Sequence, residues 1–342
     1  MSVFNDAWLD DQKALAGGDS ILRRLAEAGA RVRREAADSA EPKALLKGLP
    51  RPRAVIAAGT EARFIRAMLE PVCPVPFVAW PTHSLPGWVG ALDLVVVMAS
   101  ESAPAGLIAT VHEAVRRGSQ LLIACPRPSM IAEHAASRST IVLPTATADP
   151  LAAAIVVLDC LHAMQLGPEV HPQSVADAMD KVAEECSPLA DVSENPAKDL
   201  AMGLADAQPL VWGGSVLAAR ASRRLAEALR AASGRAALAA DADALMPILD
   251  STPQRDPFAD PFEDQISVDR RPTLVLLDDG NTESLIRSDH QRLISAAERN
   301  DVRVCTIAHW AGSDVERYAT LLQTGMFAAV YLAVGLGRSV ER

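Results

Sequence analysis

The sequence predicts an α/β protein made of two tandem units, each a parallel sheet covered on both faces by helices. Three observations carry this. Near-continuous apolar runs, "RAVIAAG" (53–59), "LDLVVVMAS" (92–100), "PLVWGG" (209–214) and "TLVLLDD" (273–279), have the composition of strands buried on both faces. Helical patterns alternate with these runs, the order that yields parallel sheets. The same logic appears in both halves of a 342-residue chain, long enough for two domains.

Residues 5–50 read as helices: Ile21, Leu22, Leu25 and Ala28 recur at helical spacing, with Asp19 or Ser20 as the N-cap. After the strand at 53–59, "TEARFIRAMLE" (60–70) reads as a helix and "VPFVAW" (75–80) as a strand. The strand at 92–100 is followed by the helix "LIATVHEAVRRG" (107–118), stopped by Gly118, then by strands "QLLIAC" (120–125) and "TIVLP" (140–144). "PLAAAIVVLDCLHAMQLG" (150–167) is a long helix with more apolar surface than one sheet face needs, which predicts a dimer interface. Residues 168–200 hold a polar helix and "SENPAKDL", a domain joint.

The second half follows suit. A helix at 215–233 follows the strand at 209–214, and "AALAA" (236–240) is a short strand. Residues 251–272, rich in Pro and Asp, predict a long mobile loop, and Phe258 and Phe262 in its doubled "DPF" offer an anchor for an arm. The strand at 273–279, a helix at 287–300, a strand at 302–308 and a closing helix at 314–337 complete the unit.

Composition narrows the function. The net charge of −10 disfavours nucleic acid as a main partner, because phosphate backbones need clustered cations. No run approaches the ~20 continuous apolar residues of a membrane span, and "MSVFNDAWLDDQK" lacks the basic and apolar regions of a secretory signal. These features predict a soluble cytoplasmic protein that needs no membrane. The five cysteines are scattered without C-x-x-C, and the seven histidines show no H-x-x-x-H spacing, so neither a metal nor a cofactor is expected.

Three strand–turn–helix loops are candidate anion sites. "MASESAPAG" (98–106) offers the Ser100 and Ser102 hydroxyls at a helix N-terminus, but Glu101 brings a negative charge and Pro104 removes an amide. The competing reading makes Ser102 a helix cap with Pro104 in the first turn. "AAGTEARF" (57–64) offers Gly59 and Thr60 but lacks G-x-G-x-x-G. "VWGGSVLAARASRR" (211–224) offers Gly213, Gly214 and Ser215, with Arg220, Arg223 and Arg224 nearby. "DDGNTES" (278–284) invites a reading as a metal or phosphate loop, but Asp-Gly-Asn is also common turn chemistry, and the turn is the favoured reading. No G-x-S-x-G hydrolase elbow is present.

Six segments together, "RPRAVIAAGTEARF", "CPVPFVAWPTHSLPGWVGALDLVVV", "HEAVRRGSQLLIA", "ENPAKDLA", "PLVWGGSVLA" and "LLQTGMFAAVYLAVGLG", resemble the bifunctional phosphoglucose/phosphomannose isomerase family, particularly its actinobacterial branch. The resemblance covers most of the chain. It implies two SIS (sugar isomerase) domains of flavodoxin/Rossmann-like three-layer αβα form, at 51–167 and 201–342, with N-terminal helices at 1–50 and a helical linker at 168–200. It also implies a homodimer, a sugar-phosphate ligand and aldose–ketose isomerisation of fructose 6-phosphate through an enediol, with a carboxylate base and cations near the developing oxyanion.

The family's reactive positions are altered in this chain. Ala57-Ala58-Gly59-Thr60-Glu61 stands where relatives read G-M-G-G-S. Ala99 and Glu101, or Ser100 and Ser102 with a one-residue shift, stand at the serines of S-x-S-G-N-T, followed by Ala103-Pro104-Ala105. Pro150-Leu151 replaces Pro-Arg. The P-E-x-N-H-N segment falls near "ADADALMPIL" (240–249), which has no Glu and no His although Asp241 and Asp243 remain, and no lysine follows Lys198. Losing one proton-transfer group costs ~10²–10⁴-fold. The expectation is a catalytically degenerate SIS protein with a sugar-phosphate-binding, regulatory or structural role. The alternative is an active isomerase using Asp241, Asp243 or His290.

Overall fold

The computed structural model describes residues 3–81, 83–254 and 270–338. Within it the chain divides into two compact units, Ala28–Asp177 and Met1–Glu27 with Ala178–Arg342. The helical stretch before residue 50 is therefore shared between the units.

Before the first strand the chain forms α1 (Gln12–Leu15), α2 (Asp19–Ala26), α3 (Ala28–Asp38) and α4 (Ala40–Ala44). Gly18, not Asp19 or Ser20, is the N-cap of α2. Gly18 packs so close to Val330 that a Cβ there would lie 3.0 Å from its Cγ1. Asp19 instead becomes the first helical residue and pairs with Arg23 at 2.7 Å.

The unit Ala28–Asp177 continues with β1 (Val55–Gly59), α5 (Ala62–Leu69), β2 (Phe77–Ala79), β3 (Leu94–Met98), α6 (Ala105–Arg116), β4 (Gln120–Cys125), α7 (Met130–His134), β5 (Thr140–Pro144) and α8 (Pro150–Ala163). Its five strands are parallel in the order β2-β1-β3-β4-β5. Every residue of β3 is buried, as a strand covered on both faces must be. The chain turns outward from β1 to β2 and then returns to β3 on the other side. A crevice for ligands in such a sheet opens at this switch, at the carboxyl ends of β1 and β3. The apolar residues 152–158, Cys160 and Leu161 of α8 are already buried within the chain, so apolarity of that helix is no longer an argument for a dimer.

The other unit contains α10 (Pro196–Gly203), β6 (Gln208–Gly213), α11 (Val216–Ser233), β7 (Leu238–Ala239), α12 (Ala242–Asp250), β8 (Pro272–Asp278), α13 (Ser284–Arg299), β9 (Arg303–Ala308) and α14 (Asp314–Gly335). The unit boundary falls inside α9 (Pro172–Glu185). Its four strands are parallel in the order β7-β6-β8-β9, which puts the switch between β6 and β8. Of the loop expected at 251–272, residues 255–269, with Phe258 and Phe262, lie outside the described residues.

Helix α14 has the length and apolarity to cross a membrane, yet 94% of its most apolar window is buried inside the protein. It starts with a capping box between Ser313 and Glu316. The first 27 residues dress it. Asn5 N–H donates to the Gly335 carbonyl at 2.8 Å, and Gln323 Nε2 donates to the Leu25 carbonyl at 3.0 Å. The buried Lys198 ammonium donates to Asp10 at 2.7 Å and to the carbonyls of Pro188 and Ala190, and lies 5.6 Å from the centre of the Tyr331 ring. The last lysine of the chain is thus a structural cross-link.

Candidate functional site

In the unit Ala28–Asp177 the crevice is framed by the loops after β1 and β3. Gly59 pairs with Met98 across the sheet and has φ +106°. A Cβ there would collide with the Met98 carbonyl oxygen, so the loop needs glycine at this point. Thr60 and Ser100 line one small cavity with Ala99, Thr145 and Asp149. Its volume is about 30 Å³, more than the ~10–15 Å³ that admits one water. Ser102 and Glu101 are exposed, and Ser102 does not line the cavity. Nor does Ser102 cap α6: the N-cap is Pro104, and no side chain accepts from the first amides. The proline's extended backbone (φ −60°, ψ 145°) sets the helix start two residues later than a serine cap would.

Two carboxylates of the same unit take amide donors next to this cavity. Asp149 caps α8, accepting from Leu151 N at 3.0 Å and Ala152 N at 3.2 Å, and Arg31 pairs with it at 2.7 Å. Glu35, 1% exposed, accepts from Ala146 N at 3.1 Å, Thr147 N at 2.7 Å and Thr147 Oγ1 at 2.5 Å. Donors of the turn between β5 and α8 are thus satisfied by the chain's own anions. A lone Asp before Pro150 was a readable cap signal. Glu35, 111 residues upstream of its partner Ala146, gave none.

The second crevice repeats the pattern more directly. Gly213 closes β6 where a Cβ would strike the Ala218 backbone, and at Gly214 a Cβ would strike Ile286. Ser215 is the N-cap of α11 and accepts from Ala218 N at 3.0 Å. Its hydroxyl donates to the carboxylate of Asp279. Gly213, Gly214 and Ser215 therefore share this helix end with Asp279, whose carboxylate accepts from the Ser215 hydroxyl. The segment 278–284 forms the expected turns, with Asp278 accepting from Gly280 N at 2.9 Å and Asp279 from Asn281 N at 3.3 Å. A groove of about 720 Å³ in this unit lies between the N-terminal helices and residues 188–191 instead.

The three candidate acid–base residues do not meet. Asp241 is exposed at the N-cap position of α12, after the edge strand β7, and its side chain caps nothing. Asp243 is 88% exposed and pairs with Arg292 at 3.0 Å. His290 lies 5.9 Å from the Trp212 ring centre, its Nε2 buried without a hydrogen-bond partner among the described residues. At the end of β9, His309 faces Thr324 at 3.1 Å, and burial together with the Lys181 charge holds its imidazole below the usual histidine value. Among the described residues no group of three His, Cys, Asp or Glu side chains could hold a metal. Cys160 and Cys186 are buried, which pushes both thiols up to about 12.

Residues 193–339 match the family model for the bacterial phospho-glucose isomerase C-terminal SIS domain. No curated protein matches. Among solved structures, a glucose-6-phosphate isomerase like protein from Thermus thermophilus aligns over 95% of this chain and 92% of its own, with 15% identity and TM-score 0.56. Tagatose-6-phosphate ketose/aldose isomerase from Escherichia coli aligns over 97% and 91%, with 15% identity and TM-score 0.58. The C-terminal domain of glucosamine-fructose-6-phosphate aminotransferase from Francisella tularensis aligns over 92% and 96%, with 12% identity and TM-score 0.63. At these identities the likenesses establish the fold alone, two α/β units in tandem, of which the second matches the SIS domain model.

Proposed function

We propose, for a chain whose residues 193–339 belong to the bacterial phospho-glucose isomerase C-terminal SIS domain family, that the sugar-isomerase scaffold persists while the isomerase chemistry has been lost. Its role is then structural or regulatory. The homodimer implied by the family resemblance belongs to the same reading.

The observation that carries this reading is the Ser215–Asp279 contact at the N-terminus of α11. A phosphate brought to that helix end meets a carboxylate already seated. Two like charges 4 Å apart repel by about 4 kcal/mol at an effective dielectric of 20, roughly a thousandfold in affinity. The 30 Å³ cavity at Thr60 and Ser100 supports the same conclusion for the other crevice, since a sugar phosphate needs several times that space. Asp241, Asp243 and His290 share no hydrogen bond, so no acid–base pair is held ready for proton transfer.

The test is turnover. With fructose 6-phosphate or mannose 6-phosphate the expected rate is indistinguishable from a no-protein control, and neither sugar shifts the melting temperature at millimolar concentration. Turnover of 1 s⁻¹ or faster, in the ordinary enzyme range of ~1–10³ s⁻¹, and abolished by Asp241→Asn or Asp243→Asn, overturns the proposal. The variant Asp279→Asn removes the seated charge and is expected to gain measurable phosphate affinity without gaining turnover.

A further inference from the structure

The amino-terminal edge of the second sheet, opposite its crevice, carries a different charge. Five arginines collect there: Arg230 and Arg235 at the end of α11, Arg270 and Arg271 just before β8, and Arg338 after α14. Four are fastened to backbone carbonyls. Arg230 donates to Ala237 O at 2.8 Å, Arg235 to Ala205 O, Arg271 to Pro253 O at 2.8 Å and Asn300 O at 2.9 Å, and Arg338 to Ser233 O at 2.9 Å. A carbonyl fixes a guanidinium without neutralising it.

Four other arginines of the unit are neutralised. Arg292 pairs with Asp243, Arg299 with Asp250, Arg303 with Asp199 and Arg317 with Asp314. None of the five edge arginines forms such a pair among the described residues. Burial and the like charges of Arg270 and Arg338 hold the Arg235 guanidinium below the usual arginine value, with only the exposed Asp206 working the other way.

Complementing the helix dipole accounts for part of this. Cations near the last turn of α11 are favoured by its carbonyls, which covers Arg230, Arg235 and Arg338. It does not cover Arg270 and Arg271, which precede a strand. Nor does it explain why like charges crowd together in a protein of net charge −10.

We propose that this edge is a docking surface for an acidic segment of a partner protein, whose carboxylates pair with the guanidinium forks. The carbonyl anchors pre-orient the forks, so little side-chain order is lost on binding. The anchor of Arg235 at Ala205 precedes β6 and that of Arg271 at Asn300 precedes β9. Those strands are two sheet spacings apart, about 10 Å. A single small anion cannot bridge that span, whereas an extended segment with several carboxylates can. The overall negative charge opposes a continuous phosphate backbone more than a short acidic stretch.

Fluorescence anisotropy with a labelled hexaglutamate peptide tests this on the full chain. The wild type is expected to bind it, with affinity falling as salt rises, and to ignore an uncharged Gly-Ser peptide of equal length. Arg270→Gln with Arg338→Gln is expected to weaken binding about tenfold or more, two charge-assisted contacts being removed. Arg270→Gln alone, which disturbs no backbone anchor among the described residues, is expected to weaken it severalfold with an unchanged melting temperature. Restoring charge as Arg270→Lys recovers part of the loss. Equal binding of both peptides, or hexaglutamate binding untouched by these variants, overturns the proposal. So does pyrophosphate binding without hexaglutamate binding, or self-association of the wild type that the double variant abolishes.

Discussion

Replacing Glu35 by alanine isolates the feature that shapes the first crevice. Its carboxylate is 1% exposed and serves three donors, Ala146 N, Thr147 N and Thr147 Oγ1, at 3.1, 2.7 and 2.5 Å. Without it, two amides and a hydroxyl of the turn leading into α8 lose their acceptor. A buried unsatisfied donor costs about 1–3 kcal/mol, and water entering the vacated volume recovers part of that. The sum for Glu35→Ala is therefore about 3–5 kcal/mol, a large share of the 5–15 kcal/mol that typically holds a domain together. Glu35→Gln keeps one acceptor oxygen and is expected to cost about half as much. Hydrogen exchange reports the effect locally: peptides spanning 140–150 lose protection in Glu35→Ala, while those of β6 and α11 do not. Denaturant unfolding gives the total. A cost below about 1 kcal/mol, with exchange at residues 146 and 147 unchanged, refutes the assignment of Glu35 as the anion of that turn.

Further outcomes follow from the same contacts. Because His309 is held below the usual histidine value, the unfolded chain takes up its proton first as pH falls below about 6.5. Melting temperatures measured from pH 7 to 5 are expected to drop more steeply for the wild type than for His309→Gln. Burial pushes the Asp93 carboxyl up, but hydrogen bonds from Arg53 and Gly90 N and the Arg53 charge together hold it below the usual aspartate value. Its contribution is present above about pH 4 and is lost as pH falls through its folded value. Asp93→Asn is expected to remove about 1–3 kcal/mol at neutral pH, and a chemical denaturation midpoint unchanged from wild type speaks against it. Iodoacetamide at mildly alkaline pH is expected to label Cys73, which is half-buried, well before Cys160 or Cys186, as peptide mass spectrometry can follow. Gly59→Ala meets the Met98 backbone with a positive φ besides, and is expected to lower the melting temperature by several degrees in a thermal scan.

The strands were legible because burial on both faces leaves a plain mark. Val95, Val96 and Val97 could belong to little else, and β3 contains all three. Glycines after β1 and β6 were legible for a related reason, since close backbone approach admits no Cβ. Local capping was less so. Ser102 had the chemistry of an N-cap, but Pro104 fixed the backbone first and took the position. The anion seats were hardest to read. Ser215 and Asp279 are 64 residues apart, and Glu35 and Ala146 are 111 apart. Nothing in the spacing of either pair announces a contact that only the sheet order creates. "DDGNTES" read correctly as turn chemistry and still concealed a residue that reaches across to α11.

Those seats bear on what the scaffold can be for. A SIS crevice that waits for a sugar phosphate leaves backbone donors unsatisfied until the ligand arrives, and the ligand then stabilises the fold by mass action. Here Asp149 at the start of α8 and Glu35 at the turn before it supply such acceptors in the first unit, and Asp279 holds the Ser215 hydroxyl in the second. On the proposed reading, a sugar phosphate has little binding energy left to gain at the start of α8. Among the described residues Arg235, Arg270, Arg271 and Arg338, at the far edge of the sheet from the crevice, form no ion pair. Selection for catalysis concentrates unspent electrostatic interaction where a substrate binds. On the proposed reading, the carbonyl-anchored guanidinia of this chain place part of it on a surface suited to another macromolecule.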